Sequence, residues 1–360
     1  MTSLHLSCMA LAASLMSACA AAGPSEKLIV LPSDSFVTYE GRVVLTDSTA
    51  SFVYPGTSIG LAFEGTAVSA RLKPEAGYYS VEVDGRTVRK LSTHGTSDSL
   101  FVLADSLPEG PHSVRLTLVS EGLFVHPEFG GFELSGRPCA ATDSHDLKIE
   151  FIGNSITCGY GVEAASALEH FADSTSNFGM TYAALTAKAL NAAKMVVARS
   201  GIGAYRNYAD NPDGSEWPMP RVYRKALISG SDAMWDFGRF RPDVVCINLG
   251  TNDLSVAGYK IDLYARAYAD FVRMVRSNYP QAQIVMLTGT MLQSPQLDEQ
   301  KAVLDSLCAT LRSEGDSAVF RFDMEPQDMS LPMGADYHPS ADTHRRMAAE
   351  LTEFIRSIRR

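Results

Sequence analysis

The sequence lacks several features that mark common classes of protein. It has no C-x-x-C pair, and its six cysteines are scattered, which argues against a zinc or redox site built on paired cysteines. Lys and Arg number 31 against 41 Asp and Glu, giving a formal net charge of -10. A net charge of this sign argues against nucleic acid, or an anionic membrane surface, as a partner.

Long apolar runs are also missing after the first 23 residues. The run Leu6–Gly23 is too short for a comfortable membrane span and ends at a Gly-Pro break, so residues 1–23 are predicted to be a signal peptide. The string "MSAC" ends at Cys19 and resembles the bacterial lipobox, whose cysteine carries lipid. A plain cleaved signal is the alternative. Either way the protein is predicted to be secreted or periplasmic, with Cys19 as its one route to a membrane.

Four cysteines remain after this segment: Cys139, Cys158, Cys246 and Cys308. Four cysteines allow three pairings, and the sequence does not choose among them. Cys246 lies in the apolar string "DVVCINLG" and is predicted to be a buried free thiol.

Residues 24–136 show short alternating runs of Val, Phe, Leu and Tyr that end at Gly, Pro or Asp. The string "VDGR" places an Asp-Gly turn between two such runs, as in a hairpin. Many short antiparallel strands at regular spacing predict an all-β jelly-roll sandwich. Residues 137–146 are small and polar and are predicted to be a linker to a second domain.

In residues 147–360 the hydrophobic period changes. Five apolar runs alternate with helical stripes: "LKIEFIG", "AKMVVARSG", "RPDVVCINLG", "AQIVMLTG" and "SAVFRFDM". Apolar strands that alternate with helices predict a five-stranded parallel sheet covered by helices on both faces.

Polar and glycine-containing turns follow these strands, where an open parallel sheet binds its ligands. Ser155 follows the first strand in "GNSIT", and His338 lies before the last helix in "GADYHPS". A serine hydroxyl needs a base to accept its proton, and donors for the oxyanion that forms when it attacks. His338 is the predicted base. The N–H groups of Ser155 and Gly201 and the amide of Asn252 are the predicted oxyanion hole.

The strings "GNSIT", "SG", "GTND" and "HP" resemble the four blocks of the SGNH (GDSL-like) hydrolases, over about residues 147–360. With the preceding sandwich, "NSITCGYG", "SGIGAYRNY" and "DYHPS" resemble carbohydrate esterase family 2. The resemblance implies a serine esterase that removes O-acetyl groups from polysaccharides such as xylan and glucomannan, with preference for the 6-position and no cofactor. A lipid esterase or thioesterase of the SGNH type, and a non-catalytic glycan-binding lipoprotein, are the alternatives.

The third catalytic role is open at this point. Many SGNH enzymes carry an Asp three residues before the histidine, where this sequence has Ala335. Asp336, two residues before His338, is predicted to orient the imidazole. The alternative is a Ser–His dyad in which a backbone carbonyl accepts the ring N–H.

Several residues near these turns are candidates for sugar binding. Tyr205, Arg206 and Asn207 follow Gly201 in the chain, Trp235 lies in a long insertion, and Tyr337 precedes the histidine. Loop packing and a small satellite core are the alternatives for these residues. Asp336, His338 and His344 have no fourth partner, so no metal site is predicted.

Overall fold

A computed structural model describes residues 27–141 and 144–359. The predicted signal peptide, 1–23, and Cys19 lie outside the described residues. We call residues 27–139 the β-domain and residues 147–359 the α/β domain. Within the described ranges, no helix combines the length and the apolar character needed to cross a membrane.

The β-domain contains one antiparallel sheet of ten strands, which folds around an apolar core. The strands are β1 (Leu28–Val30), β2 (Thr38–Glu40), β3 (Val44–Leu45), β4 (Ala50–Ser51), β5 (Ser58–Leu72), β6 (Tyr78–Val83), β7 (Arg86–Ser92), β8 (Leu100–Ala104), β9 (Pro111–Leu118) and β10 (Glu128–Cys139). The order along the sheet is β3-β4-β10-β5-β9-β6-β7, with β1 on β10 and with β2 and β8 on β5.

Strand β5 joins the two layers of the sandwich because it changes neighbours along its length. Its first half, 58–64, pairs with β9, and 68–71 pair with β8 on the same side. Strand β10 follows β5 on the other side, with a register shift between Ser135 and Gly136. A shifted register bends both strands, which lets them pass from one layer to the other.

The all-β prediction is confirmed, with differences in detail. Two of the short runs in the sequence, "SIGLAFEG" and "AVSARLKP", belong to the single strand β5. The short strands β1 and β2 were not predicted, because three residues show no alternation. Strand β10 ends at Cys139, within the segment 137–146 that was predicted to be a linker.

The α/β domain is built on a parallel five-stranded sheet of order β12-β11-β13-β14-β15, as predicted. The strands are β11 (Leu147–Gly153), β12 (Ala192–Ala198), β13 (Val244–Asn248), β14 (Gln283–Thr288) and β15 (Val319–Asp323). The α-helices are α1 (Ser155–Cys158), α2 (Tyr182–Ala189), α3 (Met219–Val222), α4 (Thr251–Leu254), α5 (Ile261–Asn278), α6 (Gln296–Ser313) and α7 (Ala341–Ile358). Short 3₁₀ helices occur at Asp173–Thr175, Phe178–Met180, Phe237–Arg239 and Ala335–Tyr337.

Helices cover both faces of this sheet, so each face has its own core. Helices α5 and α6 pack on one face through residues such as Phe271 and Leu304, and α2 and α7 pack on the other through Ala183 and Leu351. All four cysteines after the signal segment are free thiols, and Cys246 is fully buried, as predicted.

The two domains are joined by a buried ion pair. Arg42 of the β-domain and Glu150 of β11 both have fully buried side chains, and their nearest N and O atoms are 3.2 Å apart. The Arg42 guanidinium also donates to the carbonyl oxygen of Lys225 at 2.9 Å. The Tyr223 hydroxyl donates to Glu150 at 2.7 Å. These contacts offset part of the cost of removing both charges from water.

Removing one member of this pair is expected to be costly. The Arg42→Ala variant should lower the free energy of unfolding by about 3–5 kcal/mol, because the Glu150 carboxylate stays buried without its partner. Urea denaturation followed by circular dichroism measures the change.

The exposed pair between Asp262 and Arg266, one helical turn apart, is the control. Arg266→Ala should cost only about 0.3–0.5 kcal/mol. If Arg42→Ala costs no more than this control, the buried pair is not what holds the domains together.

Candidate active site

Ser155 and His338 meet at the carboxyl edge of the parallel sheet. Ser155 is the first residue of α1, directly after β11, and His338 follows the 3₁₀ turn before α7. The distance between Ser155 Oγ and His338 Nε2 is 2.9 Å. This is hydrogen-bond distance between a hydroxyl and a ring nitrogen that can accept its proton.

Gly161 allows the histidine turn to lie against the serine turn. Its φ is +54°, and a Cβ on it would lie 2.3 Å from the Ala335 Cβ. Ala335 N–H donates to the Gly161 carbonyl oxygen at 3.1 Å. The close approach of these two backbones therefore depends on the missing side chain, and it brings His338 to Ser155 across 183 residues of sequence.

The backbone holds the other side of the imidazole ring. His338 Nδ1 lies 3.0 Å from the Ala335 carbonyl oxygen, which accepts its proton. Nε2 is then the unprotonated nitrogen that faces Ser155. Burial lowers the pKa of His338 below its usual value, against the opposing effects of the nearby carbonyls and the Asp336 charge. The ring is therefore neutral, and able to act as a base, at neutral pH.

Asp336 does not take the predicted position beside the ring of His338. Its φ of 48° and ψ of 40° are left-handed, and its carboxylate lies on the Tyr160 side of the turn. The Tyr160 hydroxyl donates to it at 2.6 Å, and His170 Nδ1 is 2.8 Å away. The hydrogen bond predicted between Asp336 and the imidazole is replaced by the one to the Ala335 carbonyl oxygen.

Tyr160 is a site residue that sequence reasoning missed. Its ring stacks on His338 with 4.0 Å between centroids and 18° between planes. Burial, together with the hydrogen bond to Asp336, raises the Tyr160 pKa, so the hydroxyl stays protonated and keeps donating. Its place in "CGYG", five residues after Ser155, was the available signal.

The three predicted oxyanion donors lie at the ends of neighbouring strands. Among the hydrogen bonds of the described residues, none uses the backbone N–H of Ser155 or of Gly201. The Asn252 amide donates one hydrogen to the Ile202 carbonyl oxygen at 2.8 Å. A primary amide has two hydrogens, so the second is available to a ligand.

Asp253 fixes the loop that carries Gly201. Its buried carboxylate accepts the N–H groups of Ala204, Tyr205 and Arg206 at 3.0, 2.8 and 3.0 Å. The β12 and β13 loops are thereby tied together, and the donors on them keep a fixed separation.

These groups line one open cleft of about 480 Å³. More apolar than polar surface faces it, and most of its residues also carry a polar group; Met291 is the one aliphatic side chain. The residues that line it are Ser155, Tyr160, Ser200, Gly201, Tyr208, Thr251, Asn252, Ser255, Met291, Asp336 and His338. Sequence reasoning did not single out Tyr208, whose exposed ring borders the cleft.

Four of the five predicted sugar-binding residues have structural contacts instead. Tyr205 is buried and its hydroxyl accepts the Lys260 N–H, while Arg206, 3% exposed, donates to the Val256 carbonyl oxygen at 3.0 Å.

Asn207 accepts the Gly203 N–H through its side-chain oxygen. Trp235 is buried with Met195 and Ala226 in a small separate core, which agrees with the satellite-core alternative to sugar binding. Tyr337 is 47% exposed beside His338.

The described residues contain no cluster of three or more His, Cys, Asp or Glu side chains arranged to hold a metal ion. His344 is buried in α7, and its Nδ1 accepts the Tyr182 N–H at 3.2 Å.

Comparison with known proteins agrees with this architecture. Residues 39–142 match the family model described as carbohydrate esterase 2 N-terminal, and residues 151–346 match the GDSL-like lipase/acylhydrolase family. The chain is 35% identical to the cellulase/esterase CelE of Acetivibrio thermocellus over 89% of its own length, but it spans only 39% of that protein. It is 29% identical to an acetylxylan esterase / glucomannan deacetylase of Cellvibrio japonicus, over 91% of this chain and 90% of that one.

Solved structures show the same two-domain arrangement. A family two carbohydrate esterase from Clostridium thermocellum, in complex with cellohexaose, superposes with a TM-score of 0.83 at 35% identity. The match covers 89% of this chain and 98% of that one. A family two carbohydrate esterase from Cellvibrio japonicus gives the same TM-score at 26% identity, over 92% and 98% of the two chains. The chain therefore belongs to carbohydrate esterase family 2, with a GDSL-like hydrolase domain after an N-terminal β-domain.

Proposed function

We propose that this protein is a serine esterase that removes O-acetyl groups from polysaccharides. The observation that carries the proposal is the 2.9 Å contact between Ser155 Oγ and His338 Nε2, in a cleft where three donors converge. A serine paired with a neutral imidazole beside oxyanion donors is the arrangement that acyl transfer needs.

In the first half of the reaction, Ser155 Oγ attacks the acetyl carbonyl carbon while His338 Nε2 takes the hydroxyl proton. The carbonyl oxygen becomes an oxyanion, held by the N–H groups of Ser155 and Gly201 and by the Asn252 amide. The bond to the sugar oxygen then breaks, and His338 returns the proton to that oxygen. The products are a free sugar hydroxyl and an acetyl-Ser155 ester.

In the second half, water takes the place of the sugar hydroxyl. His338 accepts a proton from the water as its oxygen attacks the acetyl carbon, and the same donors hold the second oxyanion. Collapse of this intermediate releases acetate and returns the proton to Ser155 Oγ. Every proton is carried by His338, so the cycle needs no cofactor.

The hydroxyl groups around the cleft support a hydroxylated leaving group such as a sugar. Hydroxyls of Ser200, Tyr208 and Ser255 can hydrogen-bond a sugar, while Met291 is the one aliphatic side chain there. The relatives named acetylxylan esterase / glucomannan deacetylase and the cellohexaose complex point to plant glycans as the substrate class.

We further propose that the protein acts outside the cytoplasm. The apolar run Leu6–Gly23 supports export, and the "MSAC" string supports lipid attachment at Cys19. We propose the division that the sequence predicts, residues 24–136 and 147–360, with the first domain extended to Cys139 because β10 ends there.

The Ser155→Ala variant tests the reaction itself. Acetate release is measured from acetylated xylan and acetylated glucomannan, and p-nitrophenyl acetate is compared with longer acyl esters. Wild type should release acetate and prefer the acetyl ester. Ser155→Ala should lose activity by roughly 10⁶-fold, the scale seen when a catalytic serine is removed.

Ser313→Ala, which changes a serine at the far end of α6, is the control and should keep full activity. Retention of more than about a hundredth of the wild-type rate in Ser155→Ala would exclude Ser155 as the nucleophile.

Asn252→Ala tests the oxyanion hole. Loss of one donor should lower kcat by about 10²–10³-fold with little change in KM, because the oxyanion exists only in the transition state and intermediates. Steady-state kinetics on p-nitrophenyl acetate separates the two constants. A rise in KM with unchanged kcat would assign Asn252 to substrate binding.

Asp336→Asn separates a dyad from a triad. Because the Ala335 carbonyl oxygen already accepts the Nδ1 proton, the plateau of kcat/KM should fall by less than about tenfold, far from the ~10⁴ lost with an essential triad carboxylate. The Asp336 charge raises the pKa of His338, so its removal should shift the acid limb of the kcat/KM profile to lower pH.

The measurement is the pH profile of kcat/KM for both proteins. Asp342→Asn, an exposed carboxylate in the first turn of α7, is the control and should reproduce the wild-type profile. A plateau lost by several thousandfold in Asp336→Asn would restore Asp336 as a triad member.

A further inference from the structure

One loop of the β-domain lies along the α/β domain next to the cleft. This loop, residues 119–127, connects β9 to β10. The Val119 carbonyl oxygen accepts the Phe178 N–H at 2.9 Å, and the Leu123 carbonyl oxygen accepts the Ser229 hydroxyl at 2.7 Å. The loop is therefore bound to the α/β domain on both sides of Glu121.

The Glu121 carboxylate reaches the loop after β12. One oxygen accepts the Ser200 N–H at 2.8 Å, and the other accepts the Ser200 hydroxyl. Burial, together with the nearby Glu121 charge, raises the pKa of the Cys158 thiol at the end of α1, so Glu121 lies close to α1 as well. A single side chain of the β-domain thus binds the segment that carries Gly201 and lies near the one that begins at Ser155.

Ser200 controls the direction of the Gly201 N–H. That N–H belongs to the planar peptide group that begins at the Ser200 carbonyl carbon. Gly201 has a φ of +77°, and a Cβ built on it would lie 4.0 Å from the nearest atom, on Tyr208. Neighbouring side chains therefore do not pack tightly against Gly201. The Ser200 N–H, bound by Glu121, belongs to the preceding peptide group, and the Gly201 carbonyl oxygen, which accepts the Tyr208 N–H, belongs to the following one. The peptide that carries the Gly201 N–H is therefore held from both sides.

We propose that Glu121 is a positioning residue for the oxyanion hole, through which the β-domain sets the direction of the Gly201 N–H. The inference rests on the proposed esterase function. It gives the β-domain a part in the catalytic step, because a donor that is misdirected by a few tenths of an ångström stabilises the transition state less.

Glu40 provides a matched control, because it binds β12 near its beginning whereas Glu121 binds the loop after its end. It lies in β2, and its carboxylate accepts the Lys194 N–H at 3.0 Å and the Lys194 ammonium at 2.6 Å. Glu40 and Glu121 thus each accept a backbone N–H and a side-chain hydrogen from one residue near or beyond an end of β12. Of the two, Glu121 is the one next to the cleft, because Ser200 and Gly201 line it.

The experiment compares Glu121→Gln and Glu121→Ala with Glu40→Gln in the full chain. Kinetics with p-nitrophenyl acetate gives kcat and KM, and thermal melting gives stability. Glu121→Ala should lower kcat by about 10–100-fold, less than loss of a whole donor, with KM within about threefold of wild type. Glu121→Gln should lose less, because its amide oxygen still accepts one hydrogen bond.

Glu40→Gln should lower the melting temperature without a change in kcat. Ser200→Ala, which removes the hydroxyl contact alone, should lower kcat less than Glu121→Ala. Equal kcat in wild type and the Glu121 variants would overturn the inference. A loss of kcat in Glu40→Gln that matches Glu121→Gln would also overturn it, because any loosened domain contact would then suffice.

Binding of methylboronic acid provides a readout that does not need turnover. The serine oxygen adds to boron, its proton passes to His338, and the anionic tetrahedral adduct places an oxygen among the oxyanion donors. Affinity should fall in Glu121→Gln by the same factor as kcat/KM. Equal boronate affinity in wild type and Glu121→Gln would refute the role of Glu121. A wild type that binds the boronate but does not hydrolyse esters would instead refute the proposed function and leave the role of Glu121 standing or falling on the boronate result.

Discussion

The position of the β-domain on the α/β domain depends on acidic and basic side chains that are removed from water and hydrogen-bonded across the domain boundary. The buried pair between Arg42 and Glu150 is the central one, since neither charge can be exposed or separated without a large loss of stability. Glu150 lies on β11, the strand that ends at Ser155. The ion pair therefore anchors the β-domain to the same strand that presents the nucleophile.

From this anchor, contacts extend to both ends of β12. Glu40 holds its beginning and Glu121 the loop beyond its end. Val53 and Tyr54 of the β-domain are buried in a core that otherwise belongs to the α/β domain. A shared core and shared hydrogen bonds join the two domains around the cleft, and oxyanion donors held in this way need little reorganisation when charge develops.

Sequence reasoning predicted the architecture well, because its signals are local. Alternation and turn residues identified the β-domain, and five apolar runs identified the parallel sheet whose edge brings Ser155, Gly201, Asn252 and His338 together. It predicted the surroundings of these residues less well. Which groups Asp336 binds depends on its own left-handed backbone conformation. Tyr205 and Arg206 are buried in a loop whose N–H groups are bound by Asp253. Such contacts join segments far apart in the chain.

The acceptor for the His338 ring is a main-chain carbonyl, and this changes what mutation can do to the enzyme. Every amino acid at position 335 carries that carbonyl, so no single codon change removes it, whereas a triad carboxylate is lost by one substitution. Position 335 is instead limited by size, since its Cβ lies against Gly161. Among random substitutions at residues 161, 335 and 336, the inactive variants should therefore be those that place a larger side chain at residue 161 or 335. Loss of the Asp336 carboxylate should seldom inactivate the enzyme.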